Sequence, residues 1–215
     1  MQTKFLSGES AAFLLSFAAM PDDTPPVTPL LRGPVPLSHL IIRHFTRAGD
    51  HVVDATCGNG NDTLLLAELV GASGRVWAFD IQSEAIGRTM RGIAEAGLAG
   101  RVEMIHAGHE SLTEHVPGTV SLVVFNLGYL PGGNRSIITR PKTTGAAIEQ
   151  SLAILRPGGI VALTVYPAHN GGACERLSVE ELATRLDPRR FHSWRMGQLN
   201  ATPNAPYLIL IQKAA

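Results

Sequence analysis

The chain has 215 residues, 45% of them hydrophobic and 17% charged, with 18 basic and 18 acidic side chains in balance. This composition excludes a disordered chain and a uniformly basic surface, so any polyanion must be met by a local patch. The length allows one unit with a sizeable core, and two cysteines, Cys57 and Cys174, give no disulfide framework, so a reducing cytoplasm is the expected compartment.

Residues 1–34 read as an N-terminal extension, and 35–215 as a single domain. Residues 5–20 are apolar and alanine-rich, and 21–36 form a proline-rich connector. The apolar run 11–20 is too short for a bilayer, which takes about 20 apolar residues. Glu9 interrupts what would otherwise faintly resemble a secretory signal. The segment is expected to pack as an extra helix on the domain or in a homodimer. The spacing then predicts a helix over 36–47, with Leu37, Leu40, Ile41 and His44 on one face.

The run 51–63 (HVVDATCGNGNDT) reads as a buried strand, a glycine turn and a helix start. Val52 and Val53 suit a sheet interior, Gly58 and Gly60 allow a tight turn close to a ligand, and Asn61, Asp62 and Thr63 are residue types that open helices. A strand, turn and helix of this kind hold a nucleoside-like ligand at the mouth of a parallel sheet. A dinucleotide site wants a small third residue and a pyrophosphate over the helix N-terminus. Here Thr63 stands third, and an acid, Asp54, precedes the glycines. The pattern Asp54-x-Thr56-x-Gly58-x-Gly60 resembles motif I of the class I methyltransferases, whose cofactor S-adenosylmethionine is cationic at sulfur. A carboxylate near the site favours that cofactor and repels a pyrophosphate. Thr56, Asn59, Asn61 and Asp62 join Asp54, Gly58 and Gly60 as candidate cofactor residues.

A helix over 61–70 leads to a second strand, RVWAFDI (75–81), with Asp80 at its carboxyl end. An acid about 20 residues past the glycines is where ribose hydroxyls are held; a solvated turn aspartate is the plainer alternative. Ile81 and Gln82 follow within reach of the ribose or the adenine edge. After a helix over 83–96, the run 102–109 (VEMIHAGH) reads as the third strand and its loop, where the adenine packs, near His109. Neither His106 nor His109 has the cysteine partners of a metal site, and no metal is expected.

The run 120–133 (VSLVVFNLGYLPGG) is an apolar strand ending in Asn126 and breaking into a glycine-proline turn. Its place matches motif IV of amino-group methyltransferases. An amide oxygen can accept a hydrogen bond from an amine and orient its lone pair, and an aromatic ring can stack a planar base. Asn126 and Tyr129 are therefore candidate substrate contacts, Asn126 bordering the cofactor as well. A helix over 144–155 stops at Arg156-Pro-Gly-Gly, a fifth strand covers 160–165, a helix 177–186, and two final strands lie near 191–199 and 207–212. Strands alternating with helices predict an α/β, Rossmann-like fold with a mostly parallel seven-stranded sheet, an antiparallel C-terminal strand and helices on both faces.

The string NLGYLPGG (126–133), with YPAHNGG (166–172) and Glu175, resembles the family long labelled rRNA methylases and associated with tRNA 5-aminomethyl-2-thiouridine methyltransferase; the likeness covers roughly 36–213. The resemblance implies S-adenosylmethionine-dependent methylation of the aminomethyl group on a tRNA wobble uridine. It departs in carrying Ala168 where the family has glycine, Cys174 before Glu175 where two acids are usual, and Ala201 after Asn200. His169 or Tyr166 is expected to accept or relay the amine's proton; an ordering hydrogen bond in the loop is the alternative for His169. Arg135, Arg140 and Lys142 follow the motif IV loop as a candidate tRNA phosphate patch, and Arg185, Arg189, Arg190 and Arg195 cluster late. Methyl transfer to rRNA or a small amine, a nicotinamide-dependent oxidoreductase, and a non-catalytic nucleotide-binding module remain as other readings.

Overall fold

Alternation along the central strands decides the layering. Val53 faces one side of the sheet and Val52 the other; Val123 and Phe125 follow Val53, Leu122 and Val124 follow Val52, and all are 0–1% exposed. Strands apolar on both faces belong inside a sheet covered by helices on both sides. The computed structural model describes residues 31–215 and fulfils that demand. The 5–20 segment and most of the connector lie outside the described residues.

In chain order the elements are α1 (Pro34–Phe45), β1 (His51–Asp54), α2 (Asn61–Val70), β2 (Arg75–Phe79), α3 (Ser83–Glu95), β3 (Val102–Ile105), α4 (Leu112–His115), β4 (Val120–Leu127), α5 (Pro141–Ile154), β5 (Leu155–Val165), α6 (Gly172–Arg185), β6 (Phe191–Met196) and β7 (Tyr207–Lys213). The seven strands form one sheet in the order β3-β2-β1-β4-β5-β7-β6. All neighbours through β5 are parallel, and β7 runs antiparallel between β5 and β6. The order reverses between β1 and β4, and such a switch point opens the crevice in which α/β sheets bind ligands.

The expected fold class holds, with local differences, one of them a helix α6 that starts at Gly172 rather than 177. The buried face of α1 carries Pro34, Ser38 and Ile42, with Leu37, Ile41 and Phe45 packed partly onto the core, whereas Leu40 and His44 are exposed. The helix is rolled so that the 34-38-42 line meets the sheet, near β5 and β7. β5 starts at Leu155 rather than 160: the stop at Arg156-Pro-Gly-Gly ends α5, but the chain joins β4 at once through a register shift between Val120 and Leu122. β6 ends at Met196 because its ladder on β7 ends where Met196 meets Leu208. Among the described residues, no helix is long and apolar enough to cross a membrane.

Candidate active site

A cavity of about 1000 Å³ opens over the carboxyl ends of the parallel strands, walled by the loops after β1 to β5 and by α1. Its first wall is the turn after β1. Gly58 and Gly60 have φ of 51° and 85°, the left-handed region that favours glycine. Gly60 is constrained twice, since a Cβ there would lie 2.9 Å from Thr89 Oγ1 and 3.2 Å from Thr89 Cα. It faces α3 and not the cavity. Thr56, Gly58, Asn59, Asn61 and Asp62 do line the cavity.

Asp54, expected to touch the cofactor, lies beneath the site. It is fully buried, its Oδ2 accepts the Thr63 hydroxyl at 2.6 Å and its Oδ1 accepts the Thr56 N–H at 3.2 Å. Burial, reinforced by nearby Asp62, pushes its pKa up to about 7. The bonded pair explains why Thr63 stands where a dinucleotide site has a small residue. Asp54 and Gly60 thus shape the turn from behind.

Asp62 is the acid that reaches the surface of the cavity. It sits in the first turn of α2, where a carboxylate meets the positive end of the helix dipole. Its Oδ1 accepts His39 Nε2 at 2.7 Å, and its Oδ2 accepts Asn126 Nδ2 at 2.7 Å. A carboxylate only accepts, so the amide nitrogen of Asn126 must face Asp62. That leaves Asn126 Oδ1 as a free acceptor, with no protein partner among the described residues. The Asn126 backbone is fixed as well, its N–H donating to Thr56 Oγ1 at 2.7 Å.

Asp80, half-buried at the end of β2, accepts the N–H groups of Gly58 (3.0 Å) and Gln82 (2.9 Å). Those two bonds leave lone pairs on a carboxylate that also lines the cavity beside Ile81 and Gln82. His109 lines the floor after β3, edge-on to Phe125 at 5.7 Å, with a buried Nε2 that has no partner among the described residues. Burial lowers its pKa, so the ring is neutral near pH 7.

The far wall is the 128–139 loop. Gly128 and Thr139 close it, Gly128 N–H donating to Thr139 Oγ1 and Thr139 N–H to the Gly128 carbonyl, both at 2.8 Å. Buried Glu175 then accepts the hydroxyls of Thr139 (2.7 Å) and Thr144 (2.6 Å), tying the loop and α5 to α6. At the other end, Asn59 Nδ2 donates to the Pro131 carbonyl at 3.3 Å while Arg88 Nη1 holds Asn59 Oδ1 at 2.9 Å. The loop carries Tyr129 at the mouth, 39% exposed, with the Arg135 guanidinium 5.5 Å from its ring centroid and the His169 ring edge-on at 6.1 Å. His169 Nδ1 meets the Asn170 carbonyl at 2.9 Å and must carry the proton, which leaves Nε2 as the acceptor nitrogen of the neutral ring. That Nε2 is buried, has no partner among the described residues and lies close to Gly128 and Gly172. Burial, then the Asp62 charge, raises the Tyr166 pKa, so Tyr166 remains a phenol able to donate a hydrogen bond.

The cavity therefore brings together Asn126, Tyr129, Tyr166 and His169 with the cofactor candidates other than Asp54 and Gly60. Arg135 and Arg140 line it; Lys142 and the late arginines do not. Arg185 and Arg195 pair with Glu181 and Glu180 on the α6 side. Sequence reasoning missed His39 and Arg43 of α1 and the latch through Arg88. The signal for His39 was a polar residue between Leu37 and Leu40, which by itself says nothing of Asp62.

Size and charge fit S-adenosylmethionine. The volume is at the upper end of the roughly 300–1,000 Å³ of small-molecule sites, leaving room for an acceptor group. Asp62, Asp80, Glu68 and Glu110 line the space together with Arg43, Arg135 and Arg140; Asp62 and Asp80 flank the glycine turn, where they suit a cationic ligand and oppose a pyrophosphate. Thr56, Gly58, Asp62, Asp80, Gln82 and His109 would hold it. The sheet order and this cleft define a class I S-adenosylmethionine-dependent methyltransferase.

Comparison with known proteins narrows the class. Residues 76–212 match the family model described as "Putative rRNA methylase". The chain is 40% identical over 187 residues to the chloroplastic tRNA (mnm(5)s(2)U34)-methyltransferase of Arabidopsis thaliana, covering 82% of this chain and 68% of that one. The crystal structure of an rRNA methylase of this description from Clostridium thermocellum superposes with a TM-score of 0.83 at 40% identity, covering 86% of this chain and all of that one. A methyltransferase of Streptococcus mutans, solved with SAH, gives 0.78 at 34% identity over 86% of this chain and 99% of that one. The chain belongs to this rRNA methylase family. It is a methyltransferase that uses S-adenosylmethionine, which removes the oxidoreductase and the non-catalytic module.

Proposed function

We propose that this enzyme methylates the aminomethyl nitrogen of 5-aminomethyl-2-thiouridine at the wobble position of tRNA, in the cytoplasm. The observation that carries the reading is the unpaired Oδ1 of Asn126, held toward the cavity by the bond from its amide nitrogen to Asp62. An acceptor oxygen there suits an amine: it takes one N–H and turns the nitrogen lone pair to the side. The name of the Arabidopsis relative supports the choice of nucleoside. Tyr129, exposed at the mouth, offers a face for the base, and Arg135 and Arg140 offer charge for the flanking phosphates.

S-adenosylmethionine supplies a methyl group already activated by its positive sulfur, so the protein's work is positioning and proton removal. An alkylammonium has no lone pair and must lose a proton before it attacks. Tyr166 keeps its own proton, and His169 Nε2 is enclosed against Gly128 and Gly172, so His169 takes that proton only if the 128–139 loop shifts to open Nε2 to the cavity. Tyr166 serves as a hydrogen-bond donor beside Asp62.

The test is methyl transfer from labelled S-adenosylmethionine to bulk tRNA carrying unmethylated 5-aminomethyl-2-thiouridine, read by nucleoside mass spectrometry. The expected product is 5-methylaminomethyl-2-thiouridine. Its absence, with cofactor binding intact, refutes the nucleoside and moves the search to rRNA and small amines. Asn126→Ala should cut turnover on the order of 100-fold, as a misplaced reactant does, with S-adenosylhomocysteine affinity nearly unchanged.

A further inference from the structure

Helix α1 lies outside the alternating strand-helix core, yet it puts one side chain into the reaction's hydrogen-bond network. His39 is on the cavity side of α1, its side chain one-third exposed, and its Nε2 meets Asp62 Oδ1 at 2.7 Å. The opposite oxygen of the same carboxylate takes the Asn126 amide at 2.7 Å. Three elements, α1, α2 and β4, therefore meet in one chain of bonds: His39 to Asp62 to Asn126.

The geometry explains why the chain needs its outer member. A carboxylate at a helix start turns about its side-chain torsions unless both oxygens are held. Asp62 stands close to the buried Asp54 and to the Tyr166 phenol, and its charge raises the pKa of both. Asp62 is only 10% exposed at the side chain, so water is a poor substitute partner. The charge-assisted bond from His39, of the stronger class, fixes the first oxygen and thereby aims the second at Asn126. Once Asn126 Nδ2 is bound, its Oδ1 has one orientation, toward the cavity. Without His39 the carboxylate is free to rotate, and the amide can turn its nitrogen to the acceptor. A donor would then face the amine where an acceptor is needed.

We infer that His39 is a positioning residue for the methyl acceptor, acting through Asp62 to hold the Asn126 amide oxygen toward the incoming amine. The inference rests on the proposed amine acceptor for its catalytic consequence, and on the bond network alone for its structural one. It assigns α1 to the active site as well as to the scaffold.

The experiment uses the full chain and three variants: His39→Leu, which removes the donor; His39→Gln, which keeps an N–H at a similar reach; and His39→Leu combined with Asn126→Ala. Turnover is measured on the modified tRNA, with S-adenosylhomocysteine affinity by calorimetry and unfolding followed in parallel. His39→Leu is expected to lower kcat about 10- to 100-fold, the range of a small misplacement near the reacting atoms. The cofactor affinity and KM should move less than about threefold, a bound set well below that loss, and His39→Gln should recover most of kcat. The double variant should be no slower than Asn126→Ala alone, because the two residues act in one chain.

Nitrogen-15 spectra of the S-adenosylhomocysteine complex add a readout that needs no acceptor: the side-chain amide pair of Asn126 should move in His39→Leu and return in His39→Gln. A scaffold role predicts loss of stability with kcat and that amide unchanged, and this result would overturn the inference. Additive losses in the double variant would overturn it too, since His39 would then act independently of Asn126. If the wild type leaves the tRNA unmethylated, the nucleoside assignment fails by itself, and the amide resonance alone decides for or against His39.

Discussion

Replacing Asp54 by Asn distinguishes a buried structural acid from a cofactor ligand. Asp54 is fully enclosed, and its pKa rises from the ordinary 3.8 to about 7 because burial penalises its charge. Asn is nearly isosteric: its oxygen can keep the Thr56 N–H, and its amide can donate to the Thr63 hydroxyl that donated before. The folded value lies above the unfolded one, so the fold favours the protonated acid. The wild type therefore loses stability as pH rises from about 4 to about 7 and has lost this contribution fully above that window. At about 1.4 kcal/mol per pH unit of difference, the loss is on the order of 4 kcal/mol. With about 2–4 °C per kcal/mol for a domain of this size, the variant should match the wild type near pH 4 and melt roughly 10 °C higher near pH 8. The assay is thermal unfolding of the cofactor-free protein across that range, with S-adenosylhomocysteine affinity measured at pH 8. Affinity should change little, because Asp54 does not line the cavity. A melting difference that is flat with pH, or a tenfold loss of affinity without gain in stability, would refute the reasoning.

Two further predictions concern the loop that faces the substrate. Glu175→Ala removes the shared acceptor of half-buried Thr139 and buried Thr144; with the buried Thr144 hydroxyl left unpaired costing about 1–3 kcal/mol, denaturant unfolding should show a drop in stability of roughly 2 kcal/mol. Proteolysis within 128–140 should accelerate as well, and Glu175→Gln should recover most of both; unchanged cleavage would mean that the loop is held elsewhere. Arg135→Glu with Arg140→Glu should weaken tRNA binding and flatten its salt dependence by about one unit of slope for each phosphate left without its arginine. An unaltered slope would put the phosphates on another face.

The legibility of this chain follows the range of the interactions. The glycine turn, the acid at the end of the second strand and the Asn126 loop were readable because each is a local pattern at a strand's carboxyl end, where the topology must place ligands. The same local reading grouped Asp54 and Gly60 with the residues that line the cavity, whereas both lie behind that lining. Residue type and spacing do not say which way a side chain points; Thr63 and Thr89, the residues that decide it, act through packing. The face of α1 was displaced because its apolar residues extend around more than half of the helix, so that periodicity alone leaves the roll angle open; the sheet settles it through Ser38 and Ile42. His39 could not be read at all, since its meaning lies in a carboxylate 23 residues further on.

The acids of the site have separate jobs, and together they account for the choice of cofactor. Asp54 is turned inward, where the protonated form is favoured and its hydrogen bonds shape the turn. Asp80 accepts two backbone N–H groups and presents its other lone pairs to the cavity. Asp62 holds His39 with one oxygen and Asn126 with the other, yet its charge still faces the cavity. A cationic cofactor relieves the repulsion among these carboxylates, while a pyrophosphate at the start of α2 would meet Asp62 directly and add to it. The glycine turn alone is common to both ligand classes. Asp62 at the first turn of the helix, held in place from both sides, is the feature of this turn that disfavours a pyrophosphate there.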